Sequence, residues 1–301
     1  MERLGGRARR RSHHRQGVAE RVAAGDVGPR RRTLPRPGAG RRQAVAVLRV
    51  TVLGASPVRP NPGGACSGYL VEAGARRYLV DCGTGVLSRL LCHADLADLD
   101  AVVISHAHPD HCLDLVSVRQ SLAYGPGPKR SAALPVYVGA AAHPTIVRLG
   151  AAFADGSAPF WEPWLAFRVF DGAAALDLDG VALHVAPTRH YVPCWAMRFE
   201  HAGRVLAYTA DSGPCEALAT LAAGAHLLIG EATLMARDGH AGAWGHMSAA
   251  EAARLAAEAG AERLILTHYD AALAPELHAA AARHAGDRPV DLAREGEVHV
   301  V

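Results

Sequence analysis

The stretch ISHAHPDHCLDL, residues 104–115, crowds three histidines and an aspartate into six positions: His106, His108, Asp110 and His111. It continues directly from the apolar run Ala101–Ile104, which reads as a buried strand, and leads into the helix-like segment Leu113–Tyr124. The histidines and the aspartate therefore belong to a loop at the carboxyl end of a strand. In an extended loop His106 and His108, alternating around Ala107, face one point, and Pro109 then bends the chain before Asp110 and His111. Imidazole nitrogens beside a carboxylate suit zinc, manganese or iron, and a loop this dense offers donors for two neighbouring ions. An isolated histidine is usually solvated or satisfied by a hydrogen bond. Four ligating residues in six positions make that reading a poor one here.

Around this loop the chain alternates short β-type and helical segments. LRVTVLG (48–54), GYLVEA (68–73) and RRYLVDCG (76–83) are separated by Gly and Pro signals and suggest an initial meander, after which Thr84–Leu91 has helical character. Downstream, VALHVAPT (181–188), WAMRFE (195–200), RVLAYTAD (204–211), AHLLIGEA (225–232) and RLILTH (263–268) read as strands. Helices fill Pro214–Ala223, Ser248–Ala259 and Pro275–Ala285, and Ser248 with Glu251 makes the S-x-x-E pattern of a capping box. The expected class is α/β.

Composition narrows the setting. A chain of 301 residues, half of them hydrophobic, can bury a sizeable core. No apolar run reaches the roughly 18 residues that span a bilayer, and the N-terminus lacks the continuous apolar stretch of a secretory signal, so a soluble protein with no membrane partner is expected. Cys66, Cys82, Cys92, Cys112, Cys194 and Cys215 show no CxxC spacing and read as reduced thiols in a cytoplasm. Cys112, although beside His111, reads as core packing.

The net charge of +3 hides an asymmetry: residues 1–44 hold 13 arginines against three acids, whereas the rest of the chain holds 19 basic and 26 acidic side chains. A segment so basic, rich in Gly and Pro and without apolar periodicity, cannot offset its ordering entropy and is expected to be disordered, leaving residues 45–301 as the folded domain. Such a tail reads as a nucleic-acid or acidic-surface binder, as a transit peptide, or as a segment without function. The last reading is favoured, because VLRVTVLGAS looks like the true start of a domain; an over-extended start codon would give the same pattern.

SHAHPDH matches the HxHxDH signature of the metallo-β-lactamase superfamily, and the resemblance runs over nearly all of residues 48–301. It implies a four-layer αββα sandwich with two divalent metal ions at one edge, zinc first and manganese as the alternative. In the family's order, His190 in APTRHYVPCWAMRFE, Asp211 in YTADSG and His268 in LILTHYD supply further ligands. The resemblance then places His106, His108 and His190 on the first metal and Asp110, His111 and His268 on the second, with Asp211 bridging. Taken singly, His190 reads as a surface histidine, Asp211 as a turn former and His268 as a strand-end cap. Asp81, in LVDCG, is either a residue that orients a ligand loop or a simple strand-end turn residue.

The resemblance narrows to the ribonuclease Z-like branch with its cyclic-nucleotide phosphodiesterases, through GEAT (230–233) and GHMSAAEAA (245–253). Glu231 and His246 thereby join Asp110 as candidate catalytic residues: a histidine held by a carboxylate can stay cationic, stabilising charge on phosphorus or protonating a leaving oxygen. Alone, Glu231 reads as a strand-end charge and His246 as a polar residue near a helix N-terminus. Gly230 departs from the family, which often has histidine there. The implied reaction is hydrolysis of a phosphodiester by a hydroxide held between the metals.

A small diester such as a cyclic nucleotide is the expected substrate. Ribonuclease Z enzymes that process tRNA carry a long arm between the third-motif histidine and the bridging aspartate. Here 20 residues separate His190 from Asp211, and two strands with the turn HAGR use them up. The acidic balance beyond the tail is also the wrong sign for neutralising many phosphates, so nucleic acid is the less favoured partner. Three alternatives stay open: tRNA 3′-end processing, thioester or lactam hydrolysis on the same fold, and non-enzymatic nucleic-acid binding through the arginine-rich tail. A homodimer is compatible with all of these.

Overall fold

Two seven-stranded sheets organise the chain in a computed structural model that describes residues 47–126, 129–154, 156, 159–235 and 244–301; the arginine-rich segment 1–44 lies outside the described residues. The first sheet holds β1 (Leu48–Gly54), β2 (Gly68–Ala73), β3 (Arg76–Val80), β4 (Ala101–Ile104), β5 (Leu134–Gly139) and β6 (Leu165–Phe170). The second holds β7 (Leu176–Asp177), β8 (Ala182–Pro187), β9 (Trp195–His201), β10 (Arg204–Tyr208), β11 (Leu227–Glu231), β12 (Leu264–Thr267) and β13 (Val290–Leu292). The final strand, β14 (Val298–Val300), returns to the first sheet and pairs antiparallel with β1.

Each sheet begins as an antiparallel meander and continues parallel. The switch falls after β3 in the first sheet and after β10 in the second. Parallel neighbours need long crossovers, which helices provide. They are α1 (Val86–Leu90), the single turn α2 (Pro109–Cys112) with α3 (Leu115–Tyr124), and α4 (His143–Ala151) on the first sheet, then α5 (Glu216–Leu221), α6 (Ala249–Glu258) and α7 (Ala274–Ala282) on the second. The capping box opening α6 is formed: Glu251 N donates to Ser248 Oγ, and Ser248 N donates to Glu251 Oε2.

Alternate residues of one strand serve two different layers. Tyr69, Val71, Tyr78, Val80, Ala101 and Val103 pack with Leu183, Ala196 and Phe199 between the sheets. Leu70, Leu79, Val102 and Ile104 pack with Leu90, Leu115, Val118 and Ile146 beneath α1, α3 and α4. Strands covered on both faces carry no polar side, which is why these segments read as near-continuous apolar runs. On the second sheet Ala252, Ala253 and Ala256 of α6 and Leu277 and Ala281 of α7 bury the outer face. The result is the expected four-layer αββα sandwich. Cys112 is buried in the layer under the first-sheet helices, and all six cysteines are free thiols.

The sequence reading left β5, α4, β6, β7, β13 and β14 unassigned. Most of these strands lie at or near sheet edges, where two or three residues suffice for a strand and exposed positions break the apolar pattern, as at Arg168 and Val169 of β6. The helix expected over Thr84–Leu91 is shorter, entered through Gly85 at φ 90°. No helix among the described residues is long and apolar enough to cross a membrane.

Candidate metal centre

The carboxyl ends of strands from both sheets meet at one edge of the sandwich. Asp81 follows β3, Ser105 and His106 follow β4, Asp211 lies just beyond β10, Glu231 ends β11, and His268 follows β12. Five non-glycine residues have positive φ among the described residues. Asp179 and Ala202 lie in hairpin turns, and the other three are Asp81 (φ 55°), Ala210 (φ 49°) and His268 (φ 55°). A left-handed residue costs about 1–2 kcal/mol, and here it swings the chain sharply off a strand so that Asp81, Asp211 and His268 turn towards the centre. On the histidine-rich loop, Pro109 occupies the first turn of α2 with His108 as its N-cap, which places Asp110 and His111 on that turn.

The seven candidate ligands come together in two clusters that share Asp211: His106, His108 and His190 with it, and Asp110, His111 and His268 with it. His106 Nε2 and His190 Nε2 each lie 3.1 Å from His108 Nδ1, and 3.9 and 3.8 Å from Asp211 Oδ2. In the second cluster His268 Nε2 is 3.2 Å from Asp110 Oδ2 and 3.5 Å from Asp211 Oδ2. His111 Nε2 is 3.3 Å from Asp211 Oδ1 and 3.6 Å from Asp110 Oδ2. Donors at about 2.0–2.2 Å from one ion stand about 3–3.6 Å apart at tetrahedral angles, so most of these spacings are those of a shared cation.

Two orphaned atoms decide the fit. His111 Nε2 and Asp211 Oδ1 are buried and have no hydrogen-bond partner. Such atoms are rarely tolerated, and one cation between them satisfies both lone pairs. The nitrogen and oxygen donor set fits divalent metal ions. Electrostatics agree: burial, reinforced by His111, drops His106 well below the ordinary histidine range and leaves a neutral ring. Burial would raise Asp211, but His268 and His111 outweigh it and hold the carboxyl well below the usual range. For His111 burial opposes charge, yet Asp211 and Asp81 outweigh it and raise the imidazole well above its ordinary value, so without a metal a proton takes the place between His111 and the carboxylates and a cation bound there must displace it.

Partners behind these side chains hold their orientation. Asp81 accepts from Ser105 N (2.8 Å), Ser105 Oγ (2.9 Å), Tyr208 Oη (2.9 Å) and His111 Nδ1 (2.8 Å), so the residue that turns the chain off β3 also has the contacts of one that orients His111. A carboxylate on Nδ1 fixes the His111 ring with Nε2 towards Asp211, so that Nε2 is the nitrogen a metal would take once its proton is displaced. His190 Nδ1 donates to Gly245 O at 2.8 Å, and His268 Nδ1 lies 2.8 Å from Thr233 Oγ1. Ser105, Tyr208, Thr233 and Gly245 were not singled out from sequence, although all four sit inside the motifs quoted above.

Glu231 and His246 are joined as expected. Glu231 is fully buried; its Oε1 accepts from Ser212 N (2.8 Å) and His246 Nδ1 (2.9 Å), and its Oε2 accepts from Thr233 Oγ1 (2.6 Å) and Thr233 N (3.2 Å). Burial opposes charge on His246, but the hydrogen bond and charge of Glu231 outweigh it and raise the imidazole above its ordinary value. The His246 ring, partly exposed, stacks 5.7 Å from His268. A side chain at Gly230 would meet Leu264 and Ala252 of α6, so the departure at that position bears on helix packing and not on the Glu231 carboxylate.

Residues 76–269 match the β-lactamase superfamily domain. The probable metallo-hydrolase YhfI of Bacillus subtilis strain 168 is 34% identical over 223 residues, spanning 73% of this chain and 86% of that protein. A ribonuclease Z of Mycolicibacterium paratuberculosis is 34% identical over 249 residues, spanning 75% and 88%. The crystal structure of the metallo-β-lactamase fold protein YhfI from Bacillus subtilis superposes with a TM-score of 0.75 at 31% identity, covering 85% of this chain and 100% of that one.

Proposed function

This chain belongs to the metallo-β-lactamase superfamily, and from that premise we propose a metal-dependent phosphodiesterase that hydrolyses a small phosphodiester such as a cyclic nucleotide. The observation that carries the reading is the Glu231–His246 pair beside the two clusters that share Asp211. His106, His108 and His190 would hold one zinc or manganese ion, Asp110, His111 and His268 the other, with Asp211 between them. When bound, two such ions supply an activated water nucleophile at neutral pH and offset negative charge on the transferred group. His246, with Glu231 on Nδ1 and its ring partly exposed beside His268, would act as a general acid, giving a proton to the leaving oxygen as the phosphorus–oxygen bond breaks. An alkoxide leaving group needs that proton, whereas a thiolate leaves without it, which favours a phosphate ester over a thioester.

A small substrate is favoured by the span from His190 to Asp211, where β9 and β10 are joined by the turn at Ala202 (φ 51°) and Gly203 (φ 75°) with no arm between them. The acidic balance of the chain after residue 44 points the same way. Six free thiols accord with a reducing compartment such as the cytoplasm. The test is turnover by purified, metal-loaded protein on cyclic nucleotides, a bis-aryl phosphodiester, precursor tRNA and a thioester. Hydrolysis of cyclic nucleotides is expected. Cleavage of precursor tRNA without small-diester turnover would replace this reading with the tRNA-processing one that the name of the mycobacterial relative suggests.

A further inference from the structure

Beside the metal centre, and outside the ligand set, the mouth carries a ring cluster that the proposed chemistry does not use. The Tyr191 ring lies 5.1 Å from His190 and 5.6 Å from His246, and Trp244 meets it edge-on at 4.9 Å. Tyr191 is 43% exposed and Trp244 40%, so two large rings that touch each other face water beside the metal centre. The Arg189 guanidinium stands 5.8 Å from the Trp244 ring centre and makes no ion pair among the described residues.

The arrangement is built into the backbone. A Cβ at Gly245 would come within 2.8 Å of the Tyr191 ring, and one at Gly213 within 1.9 Å of the Trp244 carbonyl oxygen, so both close approaches require glycine. Gly213 N donates to Arg189 O at 2.9 Å, and Gly245 O receives His190 Nδ1. The segments that orient a metal-ligand candidate thus also hold Arg189, Tyr191 and Trp244 in place.

We infer that Arg189, Tyr191 and Trp244 form a base-binding platform that selects nucleoside phosphodiesters over aliphatic ones; the inference rests on the phosphodiesterase reading above. With a phosphate at the clusters and His246, the next group of the substrate falls on Tyr191 and Trp244, one ring away. A planar base covers ring surface that a glyceryl or alkyl group leaves in water, and Arg189 adds a cation suited to the base's acceptor edge or to a second phosphate. Base stacking on aromatic side chains multiplies affinity by about 5- to 150-fold per base.

The test compares binding of adenosine 5′-monophosphate and of ribose 5-phosphate to metal-loaded protein by calorimetry, for the wild type, Trp244→Ala and Trp244→Phe, with bound metal measured for each. Wild type should bind the nucleotide about 5- to 150-fold more tightly than the sugar phosphate. Trp244→Ala should reduce that ratio towards one with metal content unchanged, and Trp244→Phe should keep most of it. A wild-type ratio near one, or a ratio that survives Trp244→Ala, overturns the platform. Turnover of bis(p-nitrophenyl) phosphate by the same wild-type preparation reports on the phosphodiesterase reading alone. Turnover without base preference removes the platform and leaves the activity, whereas base preference without turnover does the reverse.

Discussion

Replacing His246 by alanine should lower kcat and leave the metal ions in place. In the structure Glu231 Oε1 anchors His246 Nδ1 at 2.9 Å, with Thr233 Oγ1 3.3 Å from the same nitrogen, and the partly exposed ring stacks on His268 without belonging to either cluster that contains Asp211. Loss of a positioned donor aimed at developing charge costs about 10²- to 10³-fold in kcat, or about 2.7–4 kcal/mol. KM should change little, because the interaction strengthens only as the leaving oxygen gains charge. Glu231→Gln should give a smaller loss and a diagnostic pH effect. Glu231 raises the His246 pKa, and a general acid works only while protonated, so activity falls as pH rises through that pKa. Removing the carboxylate charge should therefore move the alkaline limb of the kcat profile to lower pH. The double variant should be little worse than His246→Ala alone, since the pair acts as a unit. Steady-state kinetics across pH, with metal analysis of each protein, make the comparison. Loss of one metal equivalent in His246→Ala would refute the reasoning by making His246 a ligand of the Glu231, His246 and His268 group, and independent, multiplicative losses would break the pairing.

Metal analysis of the purified protein should approach two equivalents, and a chelator should lower its melting temperature, because His111 Nε2 and Asp211 Oδ1 are then buried without a partner; a well-folded protein with no metal and no response to zinc or manganese would count against this. Asp81→Asn should weaken metal affinity about 10- to 100-fold by competition titration, because the amide cannot accept from all four of the Asp81 donors and loosens His111; unchanged affinity would return Asp81 to a turn role. Deleting residues 1–44 should leave metal content and small-diester turnover intact, since no ligand candidate lies there, and a large loss in the truncated protein would show that the segment serves the activity.

What could be read along the chain was whatever is local to it. The apolar run Ala101–Ile104, Pro109 and the packed His106, His108, Asp110 and His111 lie within a dozen residues, and a strand end followed by a helical turn follows from their order alone. His190, Asp211, Glu231, His246 and His268 were reached through the resemblance of their short contexts to a family, and the fold brings all five to the same edge. The outer strands were missed because edge strands are short and partly exposed, so they carry little apolar signal. Pairings across the sandwich are of another kind. Asp110 meets His268 across 158 positions, and Tyr208 reaches Asp81 across 127. Asp81 could be a turn residue or an orienting one until the sheets stacked and brought Tyr208 and His111 to its carboxylate. The same holds for the mouth, where Gly213 and Gly245 let Trp244 and Tyr191 approach backbone from distant segments. Periodicity encodes which face of a strand is apolar; which distant side chains share a buried carboxylate is decided when two twisted sheets pack, because only then do their carboxyl ends occupy the same few ångströms.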